Sequence, residues 1–370
     1  MDASKPNDPG RIDDVLKKIE RTRQARRHKF YLRDEKITLS HGSGGKSTHN
    51  LIEGVFAPAF SNPLLDPMDD AAIFSVKGSG QRLAFTTDTY VVSPLFFAGG
   101  DIGKLAVHGT INDLAMAGAE PLYLSAGFIL EEGFPIANLR RIVASMAQAA
   151  TEAGVAIVTG DTKVVQRGKA DGLFINTAGV GVLRVNWQIG QTQLQPGDKV
   201  LLSGPVGNHG IAIMLAREAL DIETEVESDT APLHTMVADI LAAAGEGVHC
   251  LKDPTRGGVA TSLNEMALGS EVSIALDEHT IPVHPEVRGA CEILGLDPLT
   301  IANEGKLLAI VAPEKAQAAL QAMRSHPLGR EAALIGTVQA EPAGLVFLRT
   351  DIGGMRVLDM LVGDPLPRIC

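Results

Sequence analysis

The chain has 370 residues, 45% of them hydrophobic, and a formal net charge of −11 at pH 7. This length exceeds the size at which one hydrophobic core usually stops growing, so two domains are expected. No segment approaches the roughly 18 consecutive apolar residues of a membrane span. The N-terminus also lacks an apolar stretch followed by a small-residue cleavage site. We therefore expect a cytoplasmic protein without a membrane contact.

The cysteines and the charge distribution argue against disulfide-rich, zinc-binding and nucleic-acid-binding proteins. Cys250, Cys291 and Cys370 are an odd number without paired metal-ligand spacing, which disfavours a disulfide framework or a zinc site. Cys250 and Cys291 lie in apolar segments and are expected to be buried packing residues. Residues 1–36 hold eleven basic and seven acidic side chains, which leaves a charge of −15 on the rest. Such an acidic body repels nucleic acid, so no nucleic-acid partner is expected.

The elements predicted in the first half follow a basic extension. Residues 1–35 are polar and are predicted to form a mobile extension, although the same stretch fits the binding of an acidic partner. From Lys36 onward the chain is strand-like and punctuated by glycine, and a first domain is predicted over residues 36–189. Strands are predicted at 37–40, 71–76, 82–87, 155–159 and 173–183, with helices at 102–117 and 136–153.

A polar turn around Pro196 and Gly197 opens a second domain, predicted over residues 190–360. Its strands are predicted near 199–203, 273 and 307, and its helices at 211–219, 235–244, 258–267 and 313–325. Because strands and helices do not alternate regularly, the fold class is predicted to be α+β. Residues 361–370 contain two prolines that favour an extended, flexible tail ending in Cys370.

The segment His41–Thr48 is a glycine-rich turn before a predicted helix. It fails the P-loop pattern, because Ser40 stands where that pattern requires its first glycine. The backbone N–H groups of Gly44 and Gly45 can nevertheless surround an anion at a helix start. A purely structural turn fits the same residues.

Acidic residues recur beside the predicted strand ends and inside one apolar helix. Burying a carboxylate is costly unless it is paired or binds a metal ion. Magnesium prefers several oxygen ligands shared with substrate phosphates. Together these residues predict a magnesium–nucleotide site, whereas each alone also fits a helix cap or a turn. They are Asp70, Asp88, Asp113 with its neighbour Asn112, and Asp161.

Five further features carry candidate chemistry. Lys163, predicted in a loop beyond a strand, fits a phosphate contact or a proton acceptor, as well as an ordinary surface lysine. Glycine-bearing loops surround His209, Asp253 with Arg256, and Glu304, and they permit close approach to a ligand or serve simply as connections. A thiol at the tip of an extendable arm can visit an active site or a partner, but an accidental terminal cysteine fits equally well.

In their order along the chain, these motifs resemble the ATP-binding superfamily of aminoimidazole ribonucleotide synthetase, selenophosphate synthetase and thiamine monophosphate kinase. The order from His41–Gly45 through Gly160–Lys163 and Asp253–Gly258 to the terminal Pro-Arg-Ile-Cys370 is most similar to the HypE family of hydrogenase maturation factors. The resemblance runs from Lys36 to Cys370. It implies a two-domain α+β fold and a homodimer whose N-terminal domains form a shared β-barrel, around which the ATP sites are built.

The resemblance also implies a reaction, that of an ATP-dependent carbamoyl dehydratase. In this family a HypF-type carbamoyltransferase loads a carbamoyl group onto the terminal thiol. The enzyme then uses ATP and Mg²⁺ to convert the S-carboxamide to a thiocyanate. The cyanide passes to iron held by a HypC–HypD complex and becomes a ligand in [NiFe] hydrogenase.

The roles that the resemblance implies are assigned residue by residue. Magnesium and phosphate binding falls to Asp70, Asp88, Asp113 and Asp161, supported by Asn112, and nucleotide binding also includes Gly44, Gly45 and Asp253. Lys163 is the candidate that orients or deprotonates the carbamoyl nitrogen. The other catalytic candidates, besides Cys370, are His209, Arg256 and Glu304.

Three rival interpretations remain at this stage. Selenophosphate synthetases carry their reactive cysteine or selenocysteine in an N-terminal segment, whereas every cysteine here follows residue 249. A thiamine monophosphate kinase would leave the Pro-Arg-Ile-Cys ending without a role. A non-catalytic nucleotide-sensing scaffold that docks partners with its tail would bind ATP without turning over a carbamoylated tail.

Overall fold

This computed structural model describes Leu32 and residues 34–217, 225–350, 353–363 and 368–370. The predicted mobile extension, residues 1–35, lies almost entirely outside the described residues, as does the middle of the predicted tail. Within the described ranges, none of the helices combines the length and the apolar character needed to cross a membrane.

The first half of the chain builds a five-stranded sheet with one face covered by helices. Its elements are α1 (Lys46–Leu51), α2 (Ala57–Phe60), β1 (Ala72–Ser75), β2 (Arg82–Tyr90), β3 (Phe96–Phe97), β4 (Gly100–Asp101), α3 (Ile102–Met116), β5 (Ala119–Glu131), α4 (Ile136–Glu152), β6 (Ala156–Val165) and β7 (Leu173–Leu183). The sheet order is β1-β2-β7-β5-β6, and β3 pairs only with β4. Helix α3 packs on β2, β7 and β5, and α4 packs on α3.

The second half builds a seven-stranded sheet. Its elements are β8 (Lys199–Leu202), α5 (Asn208–Ala216), α6 (His234–Ala244), β9 (Val248–Lys252), α7 (Gly258–Gly269), β10 (Ser273–Asp277), α8 (Pro285–Leu294), β11 (Leu308–Val311), α9 (Ala316–Ser325), β12 (Ala333–Gln339), β13 (Leu345–Arg349) and β14 (Met355–Val357). The sheet order is β14-β13-β10-β12-β8-β11-β9.

The strand pairing confirms the α+β prediction. In each sheet one pair is parallel, β5 with β6 and β10 with β13, and the other pairs are antiparallel. Neither sheet closes on itself within the described residues. The first sheet ends at Leu183 and the second begins at Lys199; the domain limits taken from the sequence stay a prediction.

The two halves share a hydrophobic core. Ile102 and Leu105 of α3 belong to the same buried cluster as Ile211 and Ile213 of α5. Ile369, next to the last residue of the chain, lies in that cluster and is 4% exposed. Burial of these side chains stabilises the contact between the domains and holds the end of the chain inside it.

Helix α3 has clear start and stop signals. Asp101 caps its N-terminus, since Asp101 Oδ1 accepts hydrogen bonds from the N–H groups of Gly103 at 2.8 Å and Lys104 at 3.0 Å. After its last turn the chain reaches Gly118 with φ +71°, a conformation that favours glycine. Most of the helix is buried, so its polar residues must find partners in neighbouring elements.

Three local predictions were wrong. Residues 37–40 do not form a strand, because the Thr38 N–H donates to His41 Nδ1 at 3.0 Å and a short 3₁₀ helix follows at Leu39–Gly42. Strand β5 was missed, since Pro121 breaks its pattern; the register with β7 shifts at that point. Lys163 lies within β6, not in a loop, because β6 continues along β5 as far as Val165.

Candidate active site

Strand β2 and helix α3 bring three acidic residues together. Alternate residues of a strand share a face, so Asp88 and Thr86 both lie on the side of β2 that α3 covers. Thr86 Oγ1 lies 2.9 Å from Asp113 Oδ2, in the last turn of α3, and 2.9 Å from the carbonyl oxygen of Asp70. The fold therefore makes neighbours of Asp70, Asp88 and Asp113.

Two carboxyl groups of the second domain join them, and we call the resulting set the acidic cluster: Asp70, Asp88, Asp113, Asp253 and Glu304. Asp253 follows β9 and Glu304 lies in the loop before β11, and both are buried. Burial and the negative charge of Asp70 raise the pKa of Asp253 to about 7. Burial and repulsion from Asp253 and Asp88 raise the pKa of Glu304 well above its usual range.

The same forces raise the pKa of Asp113 well above its usual range. Burial raises its pKa most, followed by repulsion from Asp253, Asp88 and Asp70. A hydroxyl carries one proton, so when Thr86 donates to the Asp70 carbonyl, its contact with Asp113 needs a proton on that carboxyl. The cluster thus carries more carboxyl groups than it can hold ionised together, which makes it a natural site for a cation.

Two residues of the site were missed by sequence reasoning. Lys252 Nζ lies 2.6 Å from Asp70 Oδ1 and 3.3 Å from Glu265 Oε2. Burial disfavours the ammonium, but the attraction of Asp70 and Glu265 outweighs it and raises the pKa of Lys252. Tyr90 lies on the same face of β2 as Asp88, and burial and the nearby carboxyl groups raise its pKa.

Both residues had a weak signal in the sequence. A lysine in an apolar strand must find an acidic partner when buried, and Tyr90 follows Asp88 by one strand period.

Asn112 has its hydrogen bonds occupied by backbone. Its Nδ2 donates to the carbonyl oxygens of Ala231 at 3.1 Å and Glu304 at 3.3 Å, and its Oδ1 accepts from the N–H of Leu233 at 2.8 Å. It therefore ties α3 to the loop that carries Glu304. Glu304 Oε1 itself is buried and has no hydrogen-bond partner within the described residues.

The glycine turn packs against the second domain. Its N–H groups are taken: Gly44 donates to Thr48 Oγ1 at 2.9 Å, and Lys46 donates to the Leu361 carbonyl at 3.0 Å. A Cβ at Gly45 would lie 2.3 Å from the Leu361 oxygen, and one at Gly44 would lie 2.4 Å from Arg256 Cβ. Arg256 Nη1 also donates to the Gly42 carbonyl. These glycines are required for close packing against the base of the tail.

The end of the chain folds back onto the acidic cluster. The N–H groups of Val91 and Ser93 donate to the carbonyl oxygens of Cys370 at 3.0 Å and Arg368 at 3.2 Å. His209 Nε2 lies 2.8 Å from the Ile369 carbonyl oxygen. These contacts place the half-buried Cys370 beside the site.

The charges around Cys370 identify its neighbours. Burial raises the pKa of its thiol, Arg256 opposes this rise, and Glu304, Asp88 and Asp253 add to it. The structure therefore brings together Cys370, Arg256 and the acidic cluster. Cys250 and Cys291 are both buried, as predicted, and burial raises the pKa of each thiol.

Asp161 and Lys163 lie elsewhere. Both are exposed on β6, where Lys163 Nζ pairs with Asp161 Oδ2, whose pKa is lowered by that hydrogen bond. Along the sheet, Asp161 lies opposite Gly127 of β5, and Gly127 lies opposite Asn176 of β7. Asn176 in turn lies opposite Thr89 of β2. Three strand spacings of ~4.8 Å separate Asp161 from β2. Within one chain, these two residues do not join the acidic cluster.

The acidic cluster suits a hard cation in composition. Within the described ranges, no group of three or more His, Cys, Asp or Glu side chains has the geometry to hold a metal ion. Magnesium is usually bound by one or two carboxylates together with substrate phosphates, not by a preformed protein cage. The oxygen-rich, mutually repelling carboxyl groups of the cluster therefore fit Mg²⁺ bound with a nucleotide.

Comparison with known proteins identifies the family. The N-terminal domain of AIR synthase related proteins matches residues 68–183, and the C-terminal domain matches residues 195–348. The chain is 55% identical to carbamoyl dehydratase HypE of Rhizobium leguminosarum bv. viciae, over 94% of this chain and 99% of that protein. It is 57% identical to carbamoyl dehydratase HypE of Cupriavidus necator, over 92% and 96%.

Solved structures similar to this chain belong to the same family. A crystal structure of a HypE–HypF complex matches with a TM-score of 0.79 and 48% identity, over 84% of this chain and 99% of that one. A crystal structure of the hydrogenase maturation protein HypE in complex with ATP matches with a TM-score of 0.76 and 49% identity, over 90% and 100%. The chain belongs to the HypE family of carbamoyl dehydratases, within the AIR synthase related proteins.

Proposed function

We propose that this carbamoyl dehydratase acts on a group carried by its own Cys370, converting an S-carboxamide to a thiocyanate with ATP. The observation that carries the proposal is the docked tail, which places Cys370 among the charges of Arg256, Glu304, Asp88 and Asp253. The thiocyanate supplies the cyanide ligand for the iron centre of [NiFe] hydrogenase. A cytoplasmic location is part of this proposal.

The chemistry explains why one site needs both a nucleotide and a proton acceptor. The carbamoyl oxygen attacks the γ-phosphorus of ATP, the bond to the β-phosphate oxygen breaks, and ADP leaves. The nitrogen gives up its two protons in turn, and departure of the phosphate forms the C≡N bond. The net change is the loss of water from the carbamoyl group, with its oxygen carried away in phosphate.

Four aspartates fit the nucleotide and its metal ion. Asp70, Asp88, Asp113 and Asp253 supply hard oxygen ligands. Burial and mutual repulsion raise the pKa of Asp113 and Asp253, and a cation relieves that repulsion. These aspartates would hold Mg²⁺, which when bound would neutralise phosphate charge. The solved ATP complex of a HypE supports ATP as the nucleotide. Gly44 and Gly45 are proposed to line the same nucleotide site, and Asn112 holds its wall in place.

Glu304 and Arg256 are proposed to act on the carbamoyl group. A carboxylate with a raised pKa is a stronger base than an ordinary glutamate, and burial and neighbouring carboxyl groups give Glu304 that property. Its Oε1 has no hydrogen-bond partner in the described part of the chain. Arg256 supplies a fixed positive charge beside Cys370 and suits the developing phosphate.

A homodimer is proposed to complete the site. Strand β6 is an edge strand of ten residues, exposed along nearly its whole length, and Val158 and Val164 are 58% and 68% exposed. Such an edge is a template for pairing with a second sheet. Pairing of two N-terminal sheets into a shared β-barrel carries Asp161 and Lys163 to the site of the second copy. Lys163 is then placed to orient or deprotonate the carbamoyl nitrogen.

The proposed partners follow from the two ends of the reaction. A HypF-type carbamoyltransferase loads Cys370, which the crystal structure of a HypE–HypF complex supports. A HypC–HypD complex receives the cyanide. Both partners must reach the thiol, so the tail must leave its docked position to meet them.

Intact mass spectrometry of the C-terminal peptide tests the proposal. The protein is incubated with a HypF-type carbamoyltransferase and its carbamoyl donor, then with ATP and Mg²⁺, beside Cys370→Ala. We expect a carbamoyl adduct on Cys370 that then loses the mass of water, and neither change in the variant. An adduct that persists unchanged with ATP would contradict dehydration. ATP turnover on a small molecule without any adduct would favour a kinase or synthetase.

A further inference from the structure

His209 links the end of the chain to the second domain. It lies fully buried at the start of α5, with Nδ1 2.8 Å from Ser228 Oγ and Nε2 2.8 Å from the Ile369 carbonyl oxygen. The ring also meets the edge of Phe97, with centroids 5.7 Å apart and planes at 88°. The imidazole is therefore held in one orientation by contacts on three sides.

The hydrogen bonds around the ring determine its tautomer. A carbonyl oxygen only accepts, so His209 Nε2 carries the proton and donates to Ile369. Ser228 Oγ already accepts from the N–H of Thr230 at 3.2 Å, so its own proton is free to donate to Nδ1. Burial lowers the pKa of His209, which keeps the ring neutral at physiological pH.

The hydrogen bond from His209 fixes Ile369, the residue next to Cys370. Each of the last three carbonyl oxygens accepts a hydrogen bond: Arg368 from Ser93 N–H and from Arg217, Ile369 from His209, and Cys370 from Val91 N–H. The Val91 and Ser93 donors are backbone groups of the first domain. His209 and Arg217 contact the tail from the second domain, so the end of the chain is held between the two domains.

We propose that His209 is a positioning residue for the dehydration step, acting through the Ile369 carbonyl to hold Cys370 beside the acidic cluster. Holding a reacting group in place lowers the barrier of a step that requires that geometry. Loading by a separate protein takes place with the tail away from this site and does not use the contact. The inference rests on the proposed function, because dehydration at Cys370 is the step that needs the docked tail.

The first test measures docking without any catalysis. Alkylation of Cys370 by N-ethylmaleimide is followed by peptide mass spectrometry in wild type, His209→Leu and His209→Gln. Gln is the conservative variant, since its amide can donate from the Nε2 position and accept from Ser228. We expect alkylation at least about fivefold faster in His209→Leu, the effect of losing one hydrogen bond to a neutral group, and near the wild-type rate in His209→Gln.

Two further variants separate positioning from folding. His249→Leu is the matched control, because it removes a partly buried histidine and its bond to Asp198 away from the tail; its Cys370 alkylation is expected to match wild type. Ser228→Ala keeps the imidazole ring but removes the hydrogen bond to its Nδ1, and we expect Cys370 alkylation to be about twofold faster than in wild type. This variant still tests the proposal if His209→Leu does not fold. Equal rates in wild type, His209→Leu and Ser228→Ala would overturn the proposal, as would equal acceleration by Leu and Gln.

The second test compares the two steps of the cycle. In protein already carbamoylated on Cys370, a single turnover with ATP is expected to slow most in His209→Leu, less in Ser228→Ala and least in His209→Gln, whereas carbamoyl loading of the unmodified protein is not slowed in any of these variants. Equal slowing of both steps would show a general structural role and overturn the proposal. If wild type loads but does not dehydrate, the proposed function fails, and the alkylation rates still decide whether His209 docks the tail.

Discussion

Lys252 Nζ lies 2.6 Å from Asp70 Oδ1, and this ion pair joins the last residue of β9, in the second domain, to a residue two positions before β1, in the first. It holds an acidic residue of the proposed magnesium site from the opposite side of the domain boundary. The site is therefore assembled only when the two domains are packed together.

Replacing Lys252 by Met is expected to lower the free energy of unfolding by about 2 kcal/mol, because removing one partner of a mostly buried pair leaves Asp70 and Glu265 uncompensated. Urea unfolding followed by circular dichroism measures the change. Lys252→Arg keeps the charge and is expected to lose less than half of that amount. A loss equal in both variants would show that packing, not charge, stabilises the contact.

Replacing Gly45 by Ala is expected to displace the base of the tail. The added Cβ would lie 2.3 Å from the Leu361 carbonyl oxygen, whereas a Cβ at Gly42 has no heavy atom within 4 Å. We expect single-turnover dehydration to fall about tenfold in Gly45→Ala through misplacement of the tail, with Gly42→Ala close to wild type. Cys370 alkylation and ATP binding, measured in both variants, separate loss of tail docking from loss of the nucleotide.

Stability is expected to depend on pH through Asp253. Its folded pKa of about 7 lies above the unfolded value, so between about pH 4 and pH 7 the folded state binds more protons. The contribution of this group therefore falls as pH rises through that window, by up to about 4 kcal/mol, and stays constant above it. Asp253→Asn should flatten the profile of unfolding free energy in EDTA. An unchanged slope would contradict the raised pKa.

Lys163 is expected to act across the dimer. Lys163→Ala and Cys370→Ala are each expected to abolish most dehydration, but mixing and reassembling them should restore about a quarter of the wild-type activity, because one site of each mixed dimer is intact. Lys169→Ala, an exposed lysine on the turn after β6, is the control and should resemble wild type. Absence of recovery in verified mixed dimers would place Lys163 in the site of its own chain.

Glu304→Gln should separate chemistry from folding. Because the amide has the shape of the buried carboxyl and burial already raises the pKa of Glu304, the substitution is expected to change the free energy of unfolding by less than about 1 kcal/mol. Loss of the proton acceptor should slow dehydration about a hundredfold. Normal dehydration in the variant would exclude Glu304 as the acceptor.

The sequence by itself determined the elements with strong local signals. The apolar period and the glycine after it defined helix α3, and strand β7 was predicted with its observed limits of Leu173 and Leu183. The irregular mixture of strands and helices predicted an α+β fold. The ordered motifs predicted the family, because spacing between chemical groups is written directly in the chain. Local patterns failed at β5, where the internal Pro121 hides the strand pattern, and after Thr38, where the neighbouring His41 side chain binds the backbone N–H.

Only the tertiary structure decided how the candidate residues are grouped. Asp70, Asp113 and Asp253 come from different parts of the chain. The raised pKa values of Asp113 and Asp253 arise from burial and from repulsion across the domain boundary, which no local pattern encodes. Asp161 and Lys163 belong to the same series of family motifs, but they lie on the edge strand β6, three strands away from Asp88 on β2. The docking of Cys370 depends on His209, Val91 and Ser93 from two domains. Hydrogen bonds and charges act through space, so their partners are fixed by packing and not by position along the chain.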